Sequence, residues 1–171
     1  MTEKATIEKK IVLKVNFFYG LYKQFVFFFL IIILVFFSEI ITNYNDLINE
    51  KIENNIINTL WIINGFLLIR IVYGLIYFKL LKYELFQDRL ILKEGVFTNR
   101  INFLELYRVK DYTVYQSFFM KLFSIMNIQL ITSDKSTPIL NINGIPKSEV
   151  FNLIREYVEK QRIIKGVREF D

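Results

Sequence analysis

Two long apolar runs joined by a short acidic stretch limit what this chain can become. The first, Phe25 to Phe37, carries no polar side chain and continues into Ser38-Glu39-Ile40-Ile41. The second extends from about Ile56 to Phe78, interrupted by Asn58, Thr59, Asn64 and Arg70. With its flanks each reaches the roughly 20 residues that a helix needs to cross a hydrocarbon core. A helix also satisfies its own backbone polar groups, which lipid demands. The runs predict a membrane-spanning helical hairpin, with spans at about 24–42 and 56–78 and an outer loop at 43–55.

Charge orients the hairpin. Lys9, Lys10, Lys14 and Lys23 precede the first span, Lys79 and Lys82 follow the second, and the loop sets Asp46, Glu50 and Glu53 against Lys51. Basic residues flanking a span stay in the cytoplasm, so both termini are expected in the cytoplasm and the loop outside. Trp61, Tyr73 and Tyr77 fall where interfacial aromatics belong. No A-x-A-like site follows Phe37, which argues against a cleaved signal peptide. Residues 1–23 are read as a basic cytoplasmic segment able to lie along the membrane surface.

The net charge of +5 comes largely from lysines bracketing the spans, which fits an anionic lipid surface better than nucleic acid. With no cysteine and no histidine, disulfides, thiol nucleophiles, Cys/His zinc sites and histidine general bases are all excluded. No P-loop, dinucleotide fingerprint or G-x-S-x-G elbow is present. Neither a catalytic function nor a cofactor is expected.

Beyond the spans the apolar period changes. Lys82 to Phe86, Arg89 to Lys93, Val96 to Phe103, Val109 to Gln116, Asn127 to Thr132 and Pro138 to Ile142 read as short strands. Turn chemistry separates them at Gln87-Asp88, Glu94-Gly95 and Ser133 to Thr137. In the fourth strand Val109, Tyr112 and Val114 are the expected buried members. From Lys147 to Arg162 the pattern Val150, Phe151, Ile154, Tyr157, Val158 is that of an amphipathic helix. Pro146 suits its first turn and Gly144 the bend before it. The predicted fold class is α+β: a transmembrane helical hairpin, then a curled antiparallel sandwich or barrel at 82–162 capped by a C-terminal helix, then a charged tail at 163–171.

Several stretches together resemble the bacterial pleckstrin-homology (PH)-like domain carried by two-span membrane proteins. They are Tyr83 to Leu90, Lys93-Glu94-Gly95-Val96, Ile101 to Asp111, Gln116 to Phe119 with Lys121-Leu122-Phe123, Thr132 to Pro138, Asn143-Gly144-Ile145-Pro146 and Gly166 to Phe170. The resemblance implies a membrane protein with a PH-like domain and no generally established ligand. Eukaryotic phosphoinositide-binding PH domains use a basic loop between their first two strands. Here that turn is Gln87-Asp88-Arg89, short and partly acidic, so the site does not carry over.

Arg70 and Asn64 form a candidate intramembrane polar site. An intramembrane charge is costly enough to suggest a role, although Arg70 could instead snorkel or seal a helix contact. Asn64 and Gly65 could give the second span a polar, close-packing face for a homo-oligomer. Lys79, Lys82, Arg89, Arg108, Lys110 and Lys121 are the candidate contacts to anionic headgroups or a protein partner. For Glu105, Arg108 and Asp111 the favoured reading is structural, as ion pairs fixing a bend. The apolar run Ser117 to Phe123 reads first as a plug of the barrel and second as a segment dipping into the bilayer. Ser133 to Thr137 resembles an anion nest, though hairpin chemistry accounts for it. The expected function is a non-catalytic docking or assembly module at the inner leaflet. The resemblance also allows an accessory subunit of a transport or antimicrobial-resistance system.

Overall fold

The computed structural model describes residues 10–43 and 50–167. Lys9, Asp46 and the stretch Arg168-Glu169-Phe170 lie outside them.

The first element among the described residues is a strand, β1 (Ile11–Lys14), within the stretch expected to be a surface segment. α1 (Phe17–Asn43) and α2 (Glu50–Leu80) follow, packed on each other, and both are long and apolar enough to cross a membrane. α1 starts well ahead of the expected residue 24, because Asn16 caps it. The Asn16 side-chain Oδ1 accepts the Phe18 N–H at 2.9 Å, and its carbonyl accepts the Tyr19 N–H at 3.0 Å.

β2 (Lys82–Leu85), β3 (Arg89–Glu94) and β4 (Arg100–Glu105) join β1 in one antiparallel sheet, in the order β1-β2-β3-β4. The hairpin is therefore inserted between two neighbouring strands. The third predicted strand begins later than Val96 because Gly95, at φ 122°, opens a tight turn before Arg100; a Cβ there would meet the Thr98 carbonyl at 1.7 Å. A 3-10 turn (Leu106–Arg108) leads into β5 (Val109–Tyr115). The short helix α3 (Phe118–Leu122) follows, capped by Ser117, then β6 (Ile125–Thr132) and β7 (Ile139–Pro146). β5, β6 and β7 form a second, three-stranded sheet. The two sheets do not close into a barrel.

The alternation read from sequence fills the core. Leu85, Leu90 and Leu104 share one cross-strand row and are fully buried. Ile128, Leu130 and Ile142 of the second sheet meet them. In β5, Val109 is buried and Tyr112 half-buried, but Val114 is exposed. α4 (Val150–Ile164) adds Ile154, Tyr157 and Val158 to the core and packs on the Leu106–Arg108 turn. Pro146 ends β7 rather than starting this helix. Gly144, at φ 68°, kinks β7 from within instead of linking strand to helix. The start of α1 docks at Gly144, where the Asn16 N–H meets the Gly144 carbonyl.

Candidate functional site

The informative region is the seam where the hairpin meets the sheets. Lys14 ends β1 and lies opposite Lys82, which begins β2, and Lys82 lies opposite Lys93 of β3. Partners in such a ladder point to the same face with Cβ atoms roughly 5 Å apart, and like charges directly opposite destabilise a sheet. Lys93 is relieved by Glu84, whose Oε1 accepts its Nζ at 2.8 Å and that of Lys10 at 2.9 Å. Those two cations, Lys93 foremost, hold the Glu84 carboxyl below the usual carboxylate range. Lys14 and Lys82 form no ion pair among the described residues.

With Lys79 from the last turn of α2, these two lysines line a cleft of about 370 Å³. Its polar side also carries Asn16, and its apolar wall is built from Phe17, Leu75, Phe78 and Leu80. Gly20 lies on the same wall, where the helices approach so closely that a Cβ would sit 3.5 Å from that of Phe78.

The seam is locked from below. The Asn16 N–H donates to the Gly144 carbonyl at 2.7 Å, and the Gly144 N–H donates to Asn127 Oδ1 at 2.7 Å. The Tyr19 ring fills the space above Gly144 and meets Phe78 edge-on, with centroids 5.4 Å apart. Tyr83 joins the two sheets: its hydroxyl accepts the Asn143 N–H at 2.9 Å, and burial pushes its pKa up.

Ser117 to Phe123 is not a plug. Met120 alone among its large apolar side chains is buried, whereas Phe118, Phe119, Leu122 and Phe123 are exposed. Phe123 stacks on Phe18 of α1 at 4.7 Å, so α3 stands beside the start of α1. Phe18, Leu21, Tyr22, Phe25, Phe28, Phe119 and Phe123 line a second cleft there, of about 410 Å³ and almost wholly apolar. The sheet interior is filled by aliphatic side chains from both sheets, which leaves these rings outside.

The candidate residues divide by position. Lys79, Lys82 and Lys121 lie at the end of the domain next to the hairpin. Arg89, Arg108 and Lys110 lie at the far end, a strand length of roughly 17 Å away. Arg108 ties turns together, with Nε 2.9 Å from Glu105 and Nη1 3.8 Å from Asp134. Asp134, not Asp111, is its second partner; Asp111 accepts the Tyr112 N–H instead. Asp134 also accepts from the Ser136 N–H and hydroxyl, which lowers its pKa and makes this tip ordinary hairpin chemistry. Arg89 lies 3.7 Å from Asp88 and over the Phe86 ring.

Within the hairpin, the Arg70 guanidinium sits 5.0 Å from the Phe27 ring centroid. Asn64 is buried, its Oδ1 without a partner among the described residues, while Gly65 faces open space. The two therefore do not share one outward packing face. Gln24 is buried against Gly74, a contact that left no mark in the sequence. Lys14, Asn16, Tyr19 and Glu84 carry no site signal in the sequence, because their importance depends on pairing between distant parts of the chain. Among the described residues no cluster of three acidic side chains could hold a metal ion.

No curated protein and no solved structure matches the chain. The family model described as "Bacterial PH domain" matches residues 23–161, from the first turns of α1 to the last turns of α4, leaving β1 ahead of the matched segment. With that match across most of its length, on two antiparallel sheets completed by a C-terminal helix, this chain belongs to the bacterial PH domain family.

Proposed function

We propose that this protein is a non-catalytic docking or assembly module fixed to the inner leaflet of a bacterial cytoplasmic membrane. Its hairpin spans the bilayer, and both termini lie in the cytoplasm. The observation that carries the reading is the pairing of β1 with β2 on either side of the hairpin. Both helices leave the domain through hydrogen-bonded neighbours, with Leu81 alone between α2 and β2, so the PH-like domain cannot swing away from the membrane. Such rigidity suits a module that presents a surface at fixed height. The outward aromatics and aliphatics of both helices, including Phe25, Phe29, Phe36, Ile62, Phe66 and Ile69, supply the lipid-facing surface that anchoring requires.

The absence of cysteine makes the test direct. Lys51→Cys should react with a membrane-impermeant maleimide in intact spheroplasts, and Lys110→Cys only after lysis. The reverse pattern, or equal labelling of both, overturns the orientation.

A second reading, an accessory subunit of a transport or resistance system, is favoured by the apolar cleft between α1 and α3, which could receive a partner's transmembrane helix. Stoichiometric co-purification of a second membrane protein in native mass spectrometry would support it.

A further inference from the structure

The row Lys14–Lys82 keeps two cations face to face with no acid of the described residues paired to either, an arrangement that weakens a sheet unless an anion occupies it. The nearby acids among the described residues are engaged elsewhere: Glu84 with Lys10 and Lys93, and Glu94 as acceptor of the Tyr77 hydroxyl at 2.9 Å. Lys79 brings a third charge to the same cleft from the end of α2. The start of α1, at Asn16 and Phe17, adds the positive end of a long helix. The other wall is apolar and belongs to the spans themselves, through Phe17, Leu75 and Phe78. A site that is cationic where the chain leaves the helices and apolar along them matches a molecule with a phosphate at one end and an acyl chain at the other.

We propose that the cleft at the seam binds a single anionic phospholipid. Its phosphate lies among Lys14, Lys79 and Lys82, and one acyl chain runs along Leu75 and Phe17. The proposal rests on the membrane-anchored reading above and assigns that reading a specific ligand. The bound lipid neutralises the lysine row and so fastens β1 to β2, making the seam between hairpin and sheets dependent on lipid charge. The far-end cations Arg89 and Arg108 take no part.

The test uses the full-length protein in a neutral detergent, offered equal amounts of phosphatidylglycerol and phosphatidylcholine, with retained lipid counted by native mass spectrometry. The wild type should retain one phosphatidylglycerol preferentially. The triple variant K14Q/K79Q/K82Q should lose about tenfold or more of that preference. A control with the same charge change at exposed positions elsewhere, K135Q/K160Q/K165Q, should keep it. Arginines at the three cleft positions should also retain it. Thermal unfolding gives a second readout: phosphatidylglycerol should raise the midpoint of the wild type and the control but not of the cleft variant. The single variant Lys82→Gln, read the same way with a smaller loss, serves if the triple variant does not fold.

An unchanged preference in the cleft variant, or equal loss in the control, overturns the site. Displacement of the lipid by millimolar inorganic phosphate overturns the lipid as its natural occupant. Failure of this experiment with the Lys51 and Lys110 labelling pattern intact removes the cleft ligand and leaves the anchored module standing. A reversed labelling pattern removes both.

Discussion

Tyr19 and Gly144 occupy one another's space: a Cβ on Gly144 would lie 2.4 Å from the Tyr19 ring carbon Cγ. The first turn of α1 is thus seated on the kink of β7, and the peptide at residue 144 is fixed by Asn16 and Asn127. Gly144 also holds φ 68°, a conformation that costs other residues energy. Gly144→Ala should therefore cost about 2 kcal/mol. Part of that cost should vanish in the Tyr19→Ala background, which makes room for the methyl group. Thermal unfolding in detergent across the four-membered mutant cycle measures this, and strict additivity would show that the two residues do not share the site.

Gly20 and Phe78 report on the hairpin. A Cβ on Gly20 lies 3.5 Å from the Phe78 Cβ, within the roughly 3.5–4.5 Å that a disulfide bridges. Gly20→Cys with Phe78→Cys should close an intramolecular bond under mild oxidation, seen as a mass loss of two hydrogens in the monomer. Exclusively intermolecular bonds would contradict this packing of α1 on α2.

Glu84 should give the domain an acid-sensitive contribution to stability. Its pKa is lowered in the folded state, first by Lys93 and then by Lys10. The contribution is present in full above the unfolded value of about 4.3 and is lost as pH falls through the lower folded value. Glu84→Gln should therefore be less stable than the wild type at pH 7, and the gap should close on acidification below about pH 4.3. Unfolding midpoints measured from pH 7 to pH 3 decide it; a gap that widens toward acid would give the opposite sign.

Asn64 is enclosed in the hairpin with its Oδ1 unpartnered among the described residues. Replacing such a group by an apolar one of similar size removes a desolvation cost, so Asn64→Leu should stabilise the protein by about 1 kcal/mol. A lower unfolding midpoint would mean that Asn64 finds a partner in the membrane that the hairpin itself does not supply.

Phe118 should sit at bilayer level. A fluorophore on Phe118→Cys, in the exposed face of α3, should be quenched by lipids carrying a nitroxide near the headgroup. The same label on Lys135→Cys, in the turn between β6 and β7 at the far end of the domain, should be little affected. Equal quenching at both positions would require the domain to lie on its side.

What the amino-acid order determined by itself was everything carried by a local period. The unbroken run Phe25 to Phe37 lies within one long helix, and alternation placed strands at Lys82 to Phe86, Arg89 to Lys93 and Val109 to Gln116, each within one residue of the observed Lys82–Leu85, Arg89–Glu94 and Val109–Tyr115. The 3.6-residue stripe through Ile154, Tyr157 and Val158 identified the last helix. Tertiary structure decided what depends on residues far apart in the chain. Ile11–Lys14 is too short to declare itself a strand, and becomes one because β2, returning from the far side of the hairpin, offers it a ladder. The same pairing turns Lys14 and Lys82 from two flanking charges into facing neighbours. Phe118 and Phe119 look like core by composition but lie outside, because aliphatic side chains from the two sheets already fill the interior. Gly144 reads as a hinge in one dimension, but its lack of a side chain serves Tyr19, a contact that exists only once β7 and α1 have met.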